Sequence, residues 1–65
     1  MWTIYWWVIK DENSDYDGEE FFTELLGATK EEHKEYVEQL FPDTYVKCLG
    51  RVTREDADNM GLDTY

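Results

Sequence analysis

The chain has 65 residues, 16 of them Asp or Glu and 6 Lys or Arg, for a formal net charge of -10 and an isoelectric point near 4.2. Phosphate backbones and anionic lipid headgroups repel such a surface, so direct binding to nucleic acid or to a membrane is disfavoured. No apolar run reaches the roughly 18 residues of a membrane span, and Met1 to Ile9 lacks the basic flank of a signal peptide, which gives the expectation of a soluble cytoplasmic protein. The single cysteine, Cys48, excludes an internal disulfide, and no Cys/His grouping suggests structural zinc.

Acidic chains poor in aromatics stay disordered, but 42% of these residues are hydrophobic and 17% aromatic, enough apolar surface to drive collapse. One folded domain over residues 1–65 is expected. Below about 70–80 residues a core rarely supplies more than roughly 3–5 kcal/mol unaided, so a dimer or a bound cation is expected to reinforce it.

Met1 to Lys10 is β-branched and aromatic almost throughout and reads as a strand. Alternation puts Trp2, Ile4, Trp6 and Val8 on one face and Thr3, Tyr5, Trp7 and Ile9 on the other, so both faces are apolar. One of them needs a cover, and a second copy of the chain docking on Trp2, Trp6 and Trp7 is the expected one. Asp11 to Gly18 is turn chemistry with dense negative charge. From Glu19 onward, Phe21, Phe22, Leu25 and Leu26 recur at i, i+1, i+4, i+5, which predicts a short helix ended by Gly27. The alternative is a hairpin turning at Asp17-Gly18, against which stands the lack of strict alternation after it.

Thr29-x-x-Glu32 is a capping box that opens a second helix, and Pro42 closes it. His33, Tyr36, Val37, Leu40 and Phe41 share its apolar side, with Glu31, Glu35 and Glu38 opposite. Thr44 to Val52 reads as a strand with a bulge at Gly50. Thr53-x-x-Asp56 opens a last short helix, which Met60-Gly61-Leu62 ends. The expected architecture is α+β: strand, acidic loop, helix, helix, strand, short helix, its two strands extended to four by dimerisation.

Two features point to function. Asn13-x-Asp15-x-Asp17-Gly18 followed by Glu24 has the spacing of a calcium loop, in which Asn13, Asp15, Asp17, the Glu19 carbonyl and Glu24 would ligate Ca2+. The match departs in its first ligand, in the Glu20 that stands where an apolar residue is usual, and in the strand that precedes it. The other feature is the acidic surface itself, made of Asp15, Asp17, Glu19 and Glu20 in the loop and Glu31, Glu32, Glu35 and Glu38 on the helix. Glu31 and Glu35 repel each other at i, i+4, where a helix built for stability alone would place a lysine.

Four helical residues rise about 6 Å, close to the roughly 6.8 Å of two nucleotide steps along one DNA strand. A glutamate stripe can thus present charge at phosphate-like intervals to the Lys and Arg cluster of a nucleic-acid-binding protein. Small acidic DNA-mimic inhibitors carried by phages and mobile elements share this composition, though no motif places the chain in one of their families. One His, one Cys and no glycine-rich loop do not assemble a nucleophile, a base and an oxyanion donor, so no enzymatic activity is expected. His33 is read as a packed histidine and Cys48 as a small core residue.

Overall fold

The computed structural model describes all residues 1–65. Strand β1 (Trp2–Ile9) is central in a three-stranded antiparallel sheet, flanked by β2 (Glu20–Leu26) and β3 (Val46–Val52) in the order β2-β1-β3. Helix α1 (Lys30–Leu40) carries the chain from β2 past β1 to β3, and helix α2 (Arg54–Met60) follows β3. The architecture is α+β, with overall extents of 35 × 24 × 15 Å. No helix is long and apolar enough to cross a membrane.

The segment expected as a first helix is β2, the hairpin partner of β1, so the sheet has three strands where two were expected. The reason lies in how the sheet is covered. On one face Trp7, Ile9 and Phe21 pack with Val37 of α1, joined by Tyr5, Phe41, Val46 and Cys48. On the other, Ile4 and Phe22 pack with Ala57 of α2, joined by Trp6, Val52 and Leu62. A strand buried on both faces has no reason to alternate, so Phe21 and Phe22 sit side by side in sequence and serve opposite cores. The second apolar face of β1 is therefore covered in part by the chain's own α2.

Local signals behave as expected elsewhere. Thr29 caps α1 reciprocally with Glu32, and Phe41 ends the helix before Pro42. Thr53 caps α2 by accepting from the Asp56 N–H. Gly61, with φ of 67°, closes α2 in the left-handed conformation that glycine adopts at least cost. Opposite β1 the register of β3 shifts between Trp6, which faces Gly50, and Trp7, which faces Cys48, so Leu49 is the extra residue of a bulge. Beyond α2, Asp63 to Tyr65 runs parallel to β2 along its outer edge, with hydrogen bonds from Phe22 N to Asp63 O (2.8 Å) and from Tyr65 N to Phe22 O (2.8 Å). That segment covers the β2 edge and leaves β3 as the unpaired edge of the sheet.

Candidate partner-binding surface

The β1–β2 connection is a structured hairpin loop. Ile9 N–H donates to the Glu19 carbonyl (2.9 Å) and Gly18 N–H to the Ile9 carbonyl (2.7 Å), closing its base. Inside it, Asp17 Oδ1 accepts from Asp11 N–H (2.9 Å) and Asp11 Oδ1 from Asn13 N–H (3.0 Å). The other Asp11 oxygen accepts from Tyr45 N–H (3.2 Å), which ties the loop to the entry of β3. These carboxylates satisfy the loop's own backbone.

The calcium arrangement required Glu24 to come from a helix and close the loop. Glu24 instead lies within β2 opposite Ile4 and is ion-paired with Arg54 of α2. Asn13, Asp15, Asp17 and Glu19 stay at the loop, and no three His, Cys, Asp or Glu side chains converge as a metal-holding group. The residues present do not fit the calcium site that the spacing suggested.

The aromatic triplet divides in the same way. Trp7 is interior at 2% exposure, whereas Trp2, on the opposite face, is 58% exposed and stands across from the exposed Leu26. Trp6 is half-buried, its Nε1–H donating to Glu20 Oε1 (3.0 Å). Of the three tryptophans expected at an interface, Trp7 thus lies in the core, Trp6 is half-buried, and Trp2 alone is largely exposed.

On α1, Glu31, Glu35 and Glu38 are exposed, as is Glu32, which is held in the cap. Lys34 shares the exposed side of the helix, three residues after Glu31 and four before Glu38, yet forms no ion pair with either. Asp15, Asp17, Glu19 and Glu20 are exposed at the hairpin end. Because Val46 pairs with Ile9, α1 descends toward that end, and Leu40 and Phe41 meet Glu19, Glu20 and Phe21 around one cleft. Glu24 is the only one of the 16 acidic side chains engaged in an ion pair. The C-terminal turn of α1 thus reaches the acidic hairpin end, while Glu31 and Glu32 lie at the start of the helix, toward the other end of the sheet, so the acidic groups are spread along the molecule rather than gathered at one end.

Sequence reasoning missed the internal polar relay. Trp7 Nε1–H donates to Thr23 Oγ1 (2.8 Å), which lies 2.7 Å from His33 Nδ1, while His33 Nε2 lies 2.7 Å from Thr3 Oγ1. Thr3 in turn donates to the carbonyls of Leu25 and Ala28, each at 3.1 Å. Since Thr3 directs its hydroxyl proton to these carbonyls, its oxygen accepts from His33 Nε2–H, which leaves Nδ1 unprotonated to accept from Thr23. Burial holds the His33 pKa below 6.5; neighbouring Glu32 opposes this shift and Arg51 adds to it. Isolated threonines on the helix-covered face of apolar strands, together with a histidine on the apolar side of α1, were the available signal. No side-chain polar atom is left buried without a partner, so the relay reads as architecture supporting the surface.

No family model, curated protein or solved structure matches the chain.

Proposed function

We propose that the chain is a small acidic inhibitor of the DNA-mimic kind, which occupies the basic nucleic-acid-binding surface of a DNA-processing or defence protein of the sort phages and mobile elements encounter. The observation that carries this reading is the unpaired state of the acidic surface: one ion pair among 16 acidic side chains. A fold selected only for stability gains from interspersing its charges, and this one forgoes that gain. Helix α1, opened by its capping box, exposes Glu31, Glu35 and Glu38, and the four-residue step from Glu31 to Glu35, about 6 Å, approaches the spacing of two nucleotide steps. Such a surface accelerates encounter with a basic partner and competes with DNA for the same side chains.

The test is a tagged pull-down from bacterial lysate, repeated in high salt and with competing duplex DNA. Retention of a DNA-handling protein that is released by either treatment supports the reading. Replacing Glu31, Glu35 and Glu38 by lysine leaves the far-UV circular dichroism unchanged, weakens capture severely and flattens its salt dependence. Capture that is unaffected by the triple substitution sinks the assignment of this face.

Self-association belongs to the same proposal in a narrower form. The homodimer uses Trp2 and Leu26, the exposed cross-strand pair at the end of the sheet remote from the acidic loop.

A further inference from the structure

The three main surface clefts differ in the charge of their linings. One, bounded by Lys34, Glu38 and Asp43, mixes signs. Another, between Trp2, Arg51 and Arg54, has no carboxylate in its lining. The third, of about 510 Å³, lies between the hairpin end, the last turn of α1 and the Asp63–Tyr65 segment, and has three acidic residues and no cation.

Aromatic rings build its interior. Phe21 meets Phe41 at 5.1 Å between centroids and Tyr65 edge-on at 5.4 Å, and Phe41 meets Tyr65 edge-on at 6.0 Å. Tyr16, Leu40 and Tyr65 leave much of their apolar surface in water. Glu19, Glu20 and Asp63 complete the lining, and none of them is ion-paired. Glu20 is steadied by its hydrogen bond from Trp6 Nε1 (3.0 Å).

We propose that this cleft receives an arginine side chain of the basic partner, the guanidinium reaching the carboxylates of Glu19 and Asp63 while its flat face and alkyl stem lie on Tyr65 and Phe41. This deepens the inhibitor reading and rests on it. A guanidinium is planar, weakly hydrated and forked, so it stacks on aromatic rings and hydrogen-bonds carboxylates at once. An ammonium is a strongly hydrated point charge and gains less from the rings. A metal ion would find no convergent ligand group here, and a neutral apolar ligand would leave the carboxylates without a counter-charge. The cleft thus adds side-chain discrimination to an acidic surface that otherwise attracts any cation.

The test is a titration of the isotopically labelled chain with N-acetyl-argininamide, followed by amide and aromatic NMR shifts, with N-acetyl-lysinamide as comparator. Saturable shifts centred on Phe21, Phe41 and Tyr65, stronger for the arginine probe, are expected. Glu19→Gln combined with Asp63→Asn weakens them by roughly tenfold, the scale of a lost charge-assisted hydrogen bond, while a well-dispersed spectrum shows the variant folded. Glu55→Gln with Asp58→Asn, both exposed on α2 and outside the cleft, leaves them in place. Shifts scattered over all acidic residues, or equal for the two probes, overturn the arginine site. Since no partner is present in the titration, that failure is separate from failure of the inhibitor reading, which the triple lysine variant of α1 decides.

Discussion

His33 Nδ1 and Thr23 Oγ1 lie 2.7 Å apart, with both residues at 0% exposure. The contact links the inner face of α1 to the middle of β2, with Trp7 of β1 entering through the same threonine oxygen. Three elements are therefore registered to one another by a single hydroxyl. Since that hydroxyl donates to the imidazole, the contact favours the neutral histidine over the imidazolium, which would require the hydroxyl to turn and accept instead.

A pH dependence of stability follows. In the unfolded chain His33 titrates near 6.5, and in the folded protein burial lowers its pKa. Between the two values the unfolded state binds the extra proton. Stability is therefore complete above about pH 6.5 and falls as pH drops toward the depressed folded value, by at most about 1.4 kcal/mol per pH unit. Urea denaturation of the native chain and of His33→Gln between pH 5.5 and 7.5 checks this. The native chain loses stability on acidification relative to the variant, and parallel behaviour of the two would refute the assignment.

Thr23→Val preserves shape and removes the shared hydroxyl. It leaves the Trp7 Nε1–H and the His33 Nδ1 lone pair buried without partners. At about 1–3 kcal/mol for each unsatisfied group, the loss is a large part of the stability available to a domain of this size. Urea midpoints compared at pH 7.5, where His33 is neutral in both states, isolate this cost. A loss below about 0.5 kcal/mol, the usual range for an inconsequential substitution, would show that the relay is dispensable.

The elements legible in the sequence were those whose signals are local. Thr29 and Glu32 specify a cap by their own side chains, Gly61 a left-handed helix end, and Gly50 marks a bulge. β2 was misread because its pattern reports what covers the sheet. Phe21 and Phe22 look like a helical doublet until α1 and α2 are known to lie on opposite faces. The apolar character of both faces of β1 is visible in the sequence and suggests a second copy, but it also relieves a hairpin partner of such a strand from alternation. The acidic surface was legible as composition and as the α1 stripe. Its convergence with Leu40, Phe41 and Tyr65 into a cleft depends on strand order and on the last three residues docking against β2. The loop spacing was deceptive, since the position of Glu24 in a strand, paired with Arg54, is fixed by long-range packing.

Capping offers a local prediction. Thr29 Oγ1 accepts from Glu32 N–H (3.2 Å), and Glu32 Oε1 accepts from Thr29 N–H (3.2 Å). Thr29→Ala removes one half of this box and weakens the other, costing about 1 kcal/mol. Because α1 supplies both Val37 and His33 to the interior, the loss appears in global unfolding. Thermal denaturation should show it as a fall of roughly 4–8 °C for each kcal/mol, and Thr29→Ser should recover most of it. Equal destabilisation by both substitutions would place the effect outside the cap.

Trp2 and Leu26 give a prediction about assembly. They face each other across β1 and β2 at 58% and 66% exposure, with Met1 exposed beside them. If a second copy covers this pair, sedimentation shows a concentration-dependent dimer, and Trp2→Ser shifts it to monomer while the fold is retained. A native chain that stays monomeric across the micromolar range removes the homodimer from the proposal.

The response to salt separates a surface built for attraction between its own charges from one built to attract others. With one ion pair and a net charge of -10, the balance of surface electrostatics within the folded chain is repulsive. Raising sodium chloride from about 10 mM to 0.15 M shortens the screening length from roughly 30 Å to 8 Å, which falls below the 15 Å shortest extent of the molecule. Repulsion across the surface is then relieved, more in the folded state than in the expanded unfolded chain. The melting temperature should rise with salt, and chloride of a large organic cation should act as sodium chloride does, since screening needs no specific site. A fall in melting temperature would mean that attractive pairs dominate. A rise confined to calcium salts would instead restore a specific cation site to the acidic loop.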